Sequence, residues 1–158
     1  MTDQSTQHTA HSTQRRVLAV DVGEQRIGIA VSDPLGFTAQ PVEVWQHQSV
    51  AADVAHIVQL ARDYQAGTVV VGHPVTLAGT RSAQTIKAEQ FAAALTAECP
   101  CAVELVDERL TTAQGERALL EGNVRRSDRR RVIDRVAAQL LLQHYLERQR
   151  GVPPHDIQ

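Results

Sequence analysis

The chain has 158 residues, close to the size of one domain, with 42% apolar residues, 3% aromatics and a net charge of −2. That composition supports one aliphatic core, excludes a strongly basic nucleic-acid-binding chain and, lacking any run near the ~20 apolar residues of a membrane span, excludes a transmembrane protein. Two cysteines flanking Pro100, Cys99 and Cys101, have no zinc spacing and read as loop thiols, which fits a reducing cytoplasm.

Residues 1–15 are rich in Thr, Gln, Ser and His, carry no secretory signal and read as a disordered tail. Arg16–Asp21 is a continuous apolar run ending on a carboxylate, the pattern of a strand buried on both faces. Gly23 suits a tight turn in which a residue without Cβ takes positive φ. Arg26–Ser32 returns as a second strand, with Gly28 allowing close backbone approach. Gly36–Trp45 alternates enough to be a third strand, with Pro41 marking an edge position or an early end. Ser49–Gln65 shows helical spacing in Val50, Val54, Ile57, Val58 and Ala61, with Ser49 as cap and Gly67 as the stop.

Thr68–Val71 is a buried strand running into Gly72-His73-Pro74, with a loop from His73 to Arg81. Ser82–Glu98 is a second helix, Ala102–Val106 a further strand, and Thr111-Thr112-Ala113-Gln114 resembles a capping box opening a helix to about Leu120. The last helix spans roughly Arg129–Arg148, followed by a C-terminal tail, 149–158. The order β-β-β-α-β-α-β-α-α predicts one α/β domain over 16–148. Three antiparallel strands are followed by parallel ones in a mixed five-stranded sheet, with helices on both faces.

Three acids sit where this order can bring them together. Asp21 ends the first strand; alone, it could equally cap its own turn. Asp107 and Glu108 end the last strand, and alternation sends only one of them into a site, without saying which. Asp134 lies on the stripe of Ala137, Ala138 and Leu141, although Arg130 or Arg131 one turn back offers it an ion pair. Two carboxylates ~4 Å apart repel by roughly 4 kcal/mol at an effective dielectric near 20, so such a cluster calls for a cation or a proton. Oxygen ligands alone favour Mg²⁺ or Mn²⁺ over zinc, and a pair of such ions hydrolyses phosphodiesters. Arg125, Arg126, Arg129, Arg130, Arg131 and Arg135 cluster beside Asp134, a phosphate-facing patch that opposes the helix macrodipole.

The chain resembles the YqgF, or RuvX, family of the RNase H-like superfamily. The resemblance rests on Asp21-Val22-Gly23 with Arg26-Ile27-Gly28-Ile29-Ala30, on Val71-Gly72-His73-Pro74, on Asp107-Glu108-Arg109-Leu110-Thr111-Thr112, and on Ile133-Asp134 with Ala137-Ala138. It implies an RNase H-like fold and a bacterial cytoplasmic nuclease that matures the 5′ end of 16S ribosomal RNA. Asp21, Glu108 and Asp134 are then the catalytic acids holding Mg²⁺ or Mn²⁺. The nucleic-acid contacts are Arg26, Arg109, Arg125, Arg126, Arg129 and Arg130, with His73 and Asp107 as auxiliaries. His73 departs from the leucine common in the family at that turn. A RuvC-type resolvase carries an acid near Gly72-His73, where this chain has none. Acting on RNA, in association with the ribosome and as a monomer or weak homodimer, is therefore the first expectation. A Holliday-junction resolvase acting on branched DNA as a dimer is the second, and a non-catalytic RNA- or ribosome-binding protein the third. The related sugar-kinase and actin-type ATPases need two such domains, for which the chain is too short.

Overall fold

The computed structural model describes residues 15–74, 82–107 and 126–151, with the side chains of 126–135 left aside. Its five strands are β1 (Arg16–Val22), β2 (Arg26–Ser32), β3 (Ala39–Gln46), β4 (Ala66–His73) and β5 (Ala102–Asp107). They form one sheet in the order β3-β2-β1-β4-β5. The β1–β2 and β2–β3 pairs are antiparallel, whereas β4 runs parallel to both β1 and β5. Helices α1 (Val50–Asp63) and α2 (Ala83–Glu98) join the later strands, and α3 (Arg126–Gln149) closes the described chain. The expected mixed sheet with helices on both faces is what forms. Most of the tail expected over 1–15, the helix expected over Thr111–Leu120 and most of the C-terminal tail lie outside the described residues.

The apolar run of β1 makes it the centre. Leu18, Val20 and Val22 point to one face and share a core with Ile57 of α1 and Phe91 and Leu95 of α2. Ala19 points to the other, where it joins Ala30, Val70, Ala138, Leu141 and Leu142. Ala19, Ala30, Ala39 and Ala138 remove bulk from both sides of that second interface, so α3 can lie close to β1 and β2. Gln139 Nε2 donates to Ala39 O at 3.1 Å, Ala39 N donates to Gln143 Oε1 at 3.2 Å, and Arg150 Nη1 donates to Gly36 O at 3.0 Å. These contacts pin the C-terminal end of α3 at the β2–β3 turn, so its N-terminal half heads towards the end of β1 that carries Asp21.

Several boundaries differ from expectation for local reasons. Strand β3 begins at Ala39 rather than Gly36, because Asp33 holds a turn: its Oδ1 accepts from Phe37 N at 2.7 Å and from Thr38 N at 3.2 Å. Burial pushes the Asp33 carboxyl up, but backbone donors from Thr38, Phe37 and Gly36 outweigh it and hold the group below its usual value. Pro41 does lie on an edge strand, where the register shifts instead of the strand ending. Gly23 is needed for a different reason than positive φ: a Cβ there would lie 2.7 Å from the Arg26 carbonyl oxygen, to which Gly23 N donates at 2.9 Å. Helix α1 stops at Asp63, and the left-handed residue after it is Gln65 (φ 57°), not Gly67. Cys99 and Cys101, read as thiols, are paired in a disulfide with Cα atoms 5.3 Å apart.

Candidate nucleic-acid-processing site

The C-terminal ends of the three parallel strands lie side by side. Val20 is level with Val71 across β1–β4, Gly72 with Val106 and His73 with Asp107 across β4–β5. Asp21, half-buried, is therefore one row from the end of the sheet, in register with Gly28 of β2. Its neighbours Val20 and Val22 both belong to the α1–α2 core, so alternation gives Asp21 the α3 face, as it does Ala19.

Asp134 occupies α3 one turn before Ala138, which is fully buried against the same face, and three residues before Ala137. From the buried cluster that Ala19 and Ala138 share, β1 advances two residues to Asp21 and α3 runs back four residues to Asp134. Because α3 runs antiparallel to β1, both advances go the same way. Asp21 and the backbone of Asp134 thus lie towards the same end of the α3 face of the sheet.

Asp107 is the last residue of β5 and is exposed. Glu108, Arg109 and Arg125 lie outside the described residues. Arg126, Arg129 and Arg130 occupy the first turns of α3, ahead of Asp134. Arg26 opens β2, opposite Gln46. His73 ends β4 on the opposite side from Asp21: its Nε2 lies 2.8 Å from Glu89 Oε2 of α2. Among the described residues, no three His, Cys, Asp or Glu side chains form a metal-holding group. What is described of the expected set is the placement of Asp21 and of the Asp134 backbone.

Three features near this end were not singled out from the sequence. Glu89 is one, since only the fold reveals that α2 passes the end of β4. Gln84 is another: its Nε2 donates to Val22 O at 2.6 Å, and with Lys87 Nζ donating to Glu24 O at 3.2 Å it clamps α2 onto the β1–β2 turn. The third is His144 of α3. Burial and Arg148 lower its pKa, against the opposing charges of Glu147 and Asp107, which favours the neutral imidazole. Nearby, Tyr145 Oη donates to Glu104 Oε2 at 3.2 Å, and burial together with that carboxylate pushes the phenol up to about 12.

The comparisons with known proteins agree with this geometry. A family model described as "RuvX: Holliday junction resolvase" matches residues 15–148. A protein of Halalkalibacterium halodurans described as "Putative pre-16S rRNA nuclease" is 43% identical over 136 residues, covering 85% of this chain and 97% of its own. A Clostridium novyi protein of the same description is 39% identical over 132 residues, covering 84% of this chain and 98% of its own. Among solved structures, Thermus thermophilus RuvC in complex with a Holliday junction substrate superposes with a TM-score of 0.56 at 17% identity, over 87% of this chain and 96% of that one. The fowlpox virus resolvase in complex with Holliday junction DNA gives 0.52 at 11% identity, over 85% and 98%. At such identities the structural likeness is one of fold, and the fold is RNase H-like.

Proposed function

Because the chain belongs to the RuvX family, whose model spans residues 15–148, we propose that this nuclease is divalent-metal-dependent. Its substrate on this reading is RNA, cut in the 5′-end maturation of precursor 16S ribosomal RNA. What supports the site is that Asp21 on β1 and the backbone of Asp134 on α3 lie towards the same end of the α3 face. The substrate reading leans on the two relatives above, described as pre-16S rRNA nucleases.

Asp21, Glu108 and Asp134 would hold Mg²⁺ or Mn²⁺. The donors are all carboxylate oxygens, a set suited to hard cations. Of the two adjacent acids, Glu108 is taken as the ligand on the Asp107-Glu108-Arg109 motif of the family resemblance. When bound, such ions supply the charge that activates water and stabilises the leaving oxygen. Asp21 on β1 and Asp134 on α3 would be carried by regular elements, so little reorganisation would be needed as charge develops. Arg26, Arg109, Arg125, Arg126, Arg129 and Arg130 bind flanking phosphates, where guanidinium forks match phosphate oxygens. His73, held by Glu89, is an auxiliary phosphate contact. The protein works in the cytoplasm in contact with precursor ribosomes, as a monomer or weak homodimer.

The family's description favours a second reading, a Holliday-junction resolvase, which needs two active sites and hence a dimer. Incubating the wild type and Asp21→Asn with end-labelled single-stranded RNA and with a four-way DNA junction separates the two. RNA cleavage lost in the variant supports the proposal. Junction cleavage without RNA cleavage moves the resolvase to the front, and a folded, fully active Asp21→Asn protein contradicts both.

A further inference from the structure

At the end of the sheet opposite Asp21, a cleft of about 720 Å³ opens between the start of β1 and the C-terminal end of α1. Arg15, Arg16 and Arg62 line it, with Tyr64, Gln65 and Pro34. Among the described residues none of these three arginines is ion-paired to a carboxylate. The one acid on the wall, Asp63, is exposed and accepts from Gln59 Nε2 at 2.9 Å. Three guanidinium groups gathered in one cleft repel each other, and a chain of net charge −2 has no general excess of basic residues to explain them.

The cleft is also built. The Arg16 guanidinium carbon lies 5.6 Å from the centre of the Tyr64 ring, which holds its side chain in place. Gly67 makes room for Arg15: a Cβ on Gly67 would sit 3.0 Å from the Arg15 Cβ and Cδ. Gln65 keeps a left-handed backbone (φ 57°), at which glycine would be relaxed, and so presents an amide at the rim. Beyond Pro34, the β2–β3 turn exposes Phe37, 53% accessible, with the Arg150 guanidinium carbon 5.3 Å from its ring centre.

We propose that this end of the molecule is a second nucleic-acid contact surface, which grips the phosphate backbone of a single-stranded stretch of the RNA away from the point of cleavage. Three guanidinium groups with no carboxylate partner among the described residues, gathered in one open cleft, fit a chain of phosphates rather than one small anion. The inference rests on the nuclease reading above and deepens it. Five residue steps of β1 separate Arg16 from Asp21, about 16 Å. At ~3.4 Å per nucleotide, an RNA touching both ends is at least about five nucleotides long. The surface therefore selects for long substrates.

The test compares wild type, R15A/R62A and R15K/R62K by fluorescence anisotropy with labelled 20-nucleotide and four-nucleotide single-stranded RNA across a salt series. Both arginines are exposed, and R62A alone gives the same readout at half the size should the double variant melt early. Each single-strand phosphate contact contributes about 0.7 to the slope of log K against log salt, so losing two lowers the slope by about 1.4 and weakens 20-mer binding about 25-fold at 0.1 M salt relative to 1 M. The expected result is that loss for the 20-mer, a smaller one for the four-mer, which cannot span both ends, and recovery in R15K/R62K. Wild type that cuts RNA, with R15A/R62A binding the 20-mer at unchanged affinity and slope, overturns the second surface and leaves the nuclease reading standing. Wild type that neither binds nor cuts RNA overturns both.

Discussion

Asp53 offers the sharpest test of how the edge of the sheet is held. It is 1% exposed, yet carries a carboxylate inside the contact between β3 and α1. Its Oδ1 accepts from Trp45 Nε1 at 2.9 Å and from Gln48 N at 3.1 Å, and its Oδ2 pairs with His47 Nδ1. The Trp45 ring in turn stacks on His56 of α1, centroids 3.6 Å apart, and His56 Nε2 pairs with Glu43 Oε2 of β3. Replacing Asp53 by Ala removes a buried carboxylate that three groups share, Trp45 Nε1, Gln48 N and His47 Nδ1. Leaving hydrogen-bond donors without their acceptor costs about 1–3 kcal/mol, and at about 2–4 °C per kcal/mol for a chain of this size the melting temperature should fall by roughly 2–12 °C.

The pH dependence carries a second signature. Burial pushes the Asp53 carboxyl up, but donors from Trp45, Gln48 and His47 together outweigh it, leaving the folded-state pKa below the usual value of 3.8. A group whose pKa is lower folded than unfolded contributes stability that is complete above the unfolded value and lost as pH falls through the folded one. Denaturant unfolding of wild type and Asp53→Ala from pH 7 down to pH 3 should therefore show a gap that is full at neutral pH and begins to narrow below about pH 4, by at most ~1.4 kcal/mol per pH unit. A gap under about 1 kcal/mol at pH 7, or one that stays constant down to pH 3, would refute the reasoning.

Leu141 is fully buried in the smaller core between α3 and the sheet, so Leu141→Ala should cost about 2–5 kcal/mol in urea unfolding; a loss below about 1 kcal/mol would mean that α3 is not seated as described. Gly23→Ala forces a Cβ to within 2.7 Å of the Arg26 carbonyl, so the turn beside Asp21 must shift. It should cost about 1–3 kcal/mol by thermal melting and reduce nuclease activity as well; unchanged stability would show that the turn relaxes freely.

The sheet was legible because its signals are local. A continuous apolar run marked β1 as central, and Pro41 marked β3 as an edge. The apolar stripe of Ala137, Ala138 and Leu141 marked the buried side of α3. Less legible were features that depend on what the fold brings together. Asp53 looks like an ordinary first-turn acid of a helix, and nothing nearby in the sequence says that Trp45 and His47 fold back onto it. His73 stood out as a departure from a family pattern, but its partner Glu89 lies sixteen residues on, and only the path of α2 pairs them. Gly67 looked like a helix stop, whereas its physical role is to leave space for the side chain of Arg15.

The central claim is that Asp21 and Asp134 form, with Glu108, a metal-dependent nuclease centre. The direct measurement is cleavage of end-labelled single-stranded RNA by the wild type and Asp134→Asn in Mg²⁺, in Mn²⁺ and in chelator, with melting curves to verify folding. The account predicts cleavage that requires the metal and falls by at least about a hundredfold in the variant, the scale of losing one group that stabilises transition-state charge. Cleavage that persists in chelator, or a folded Asp134→Asn protein as active as the wild type, would contradict it.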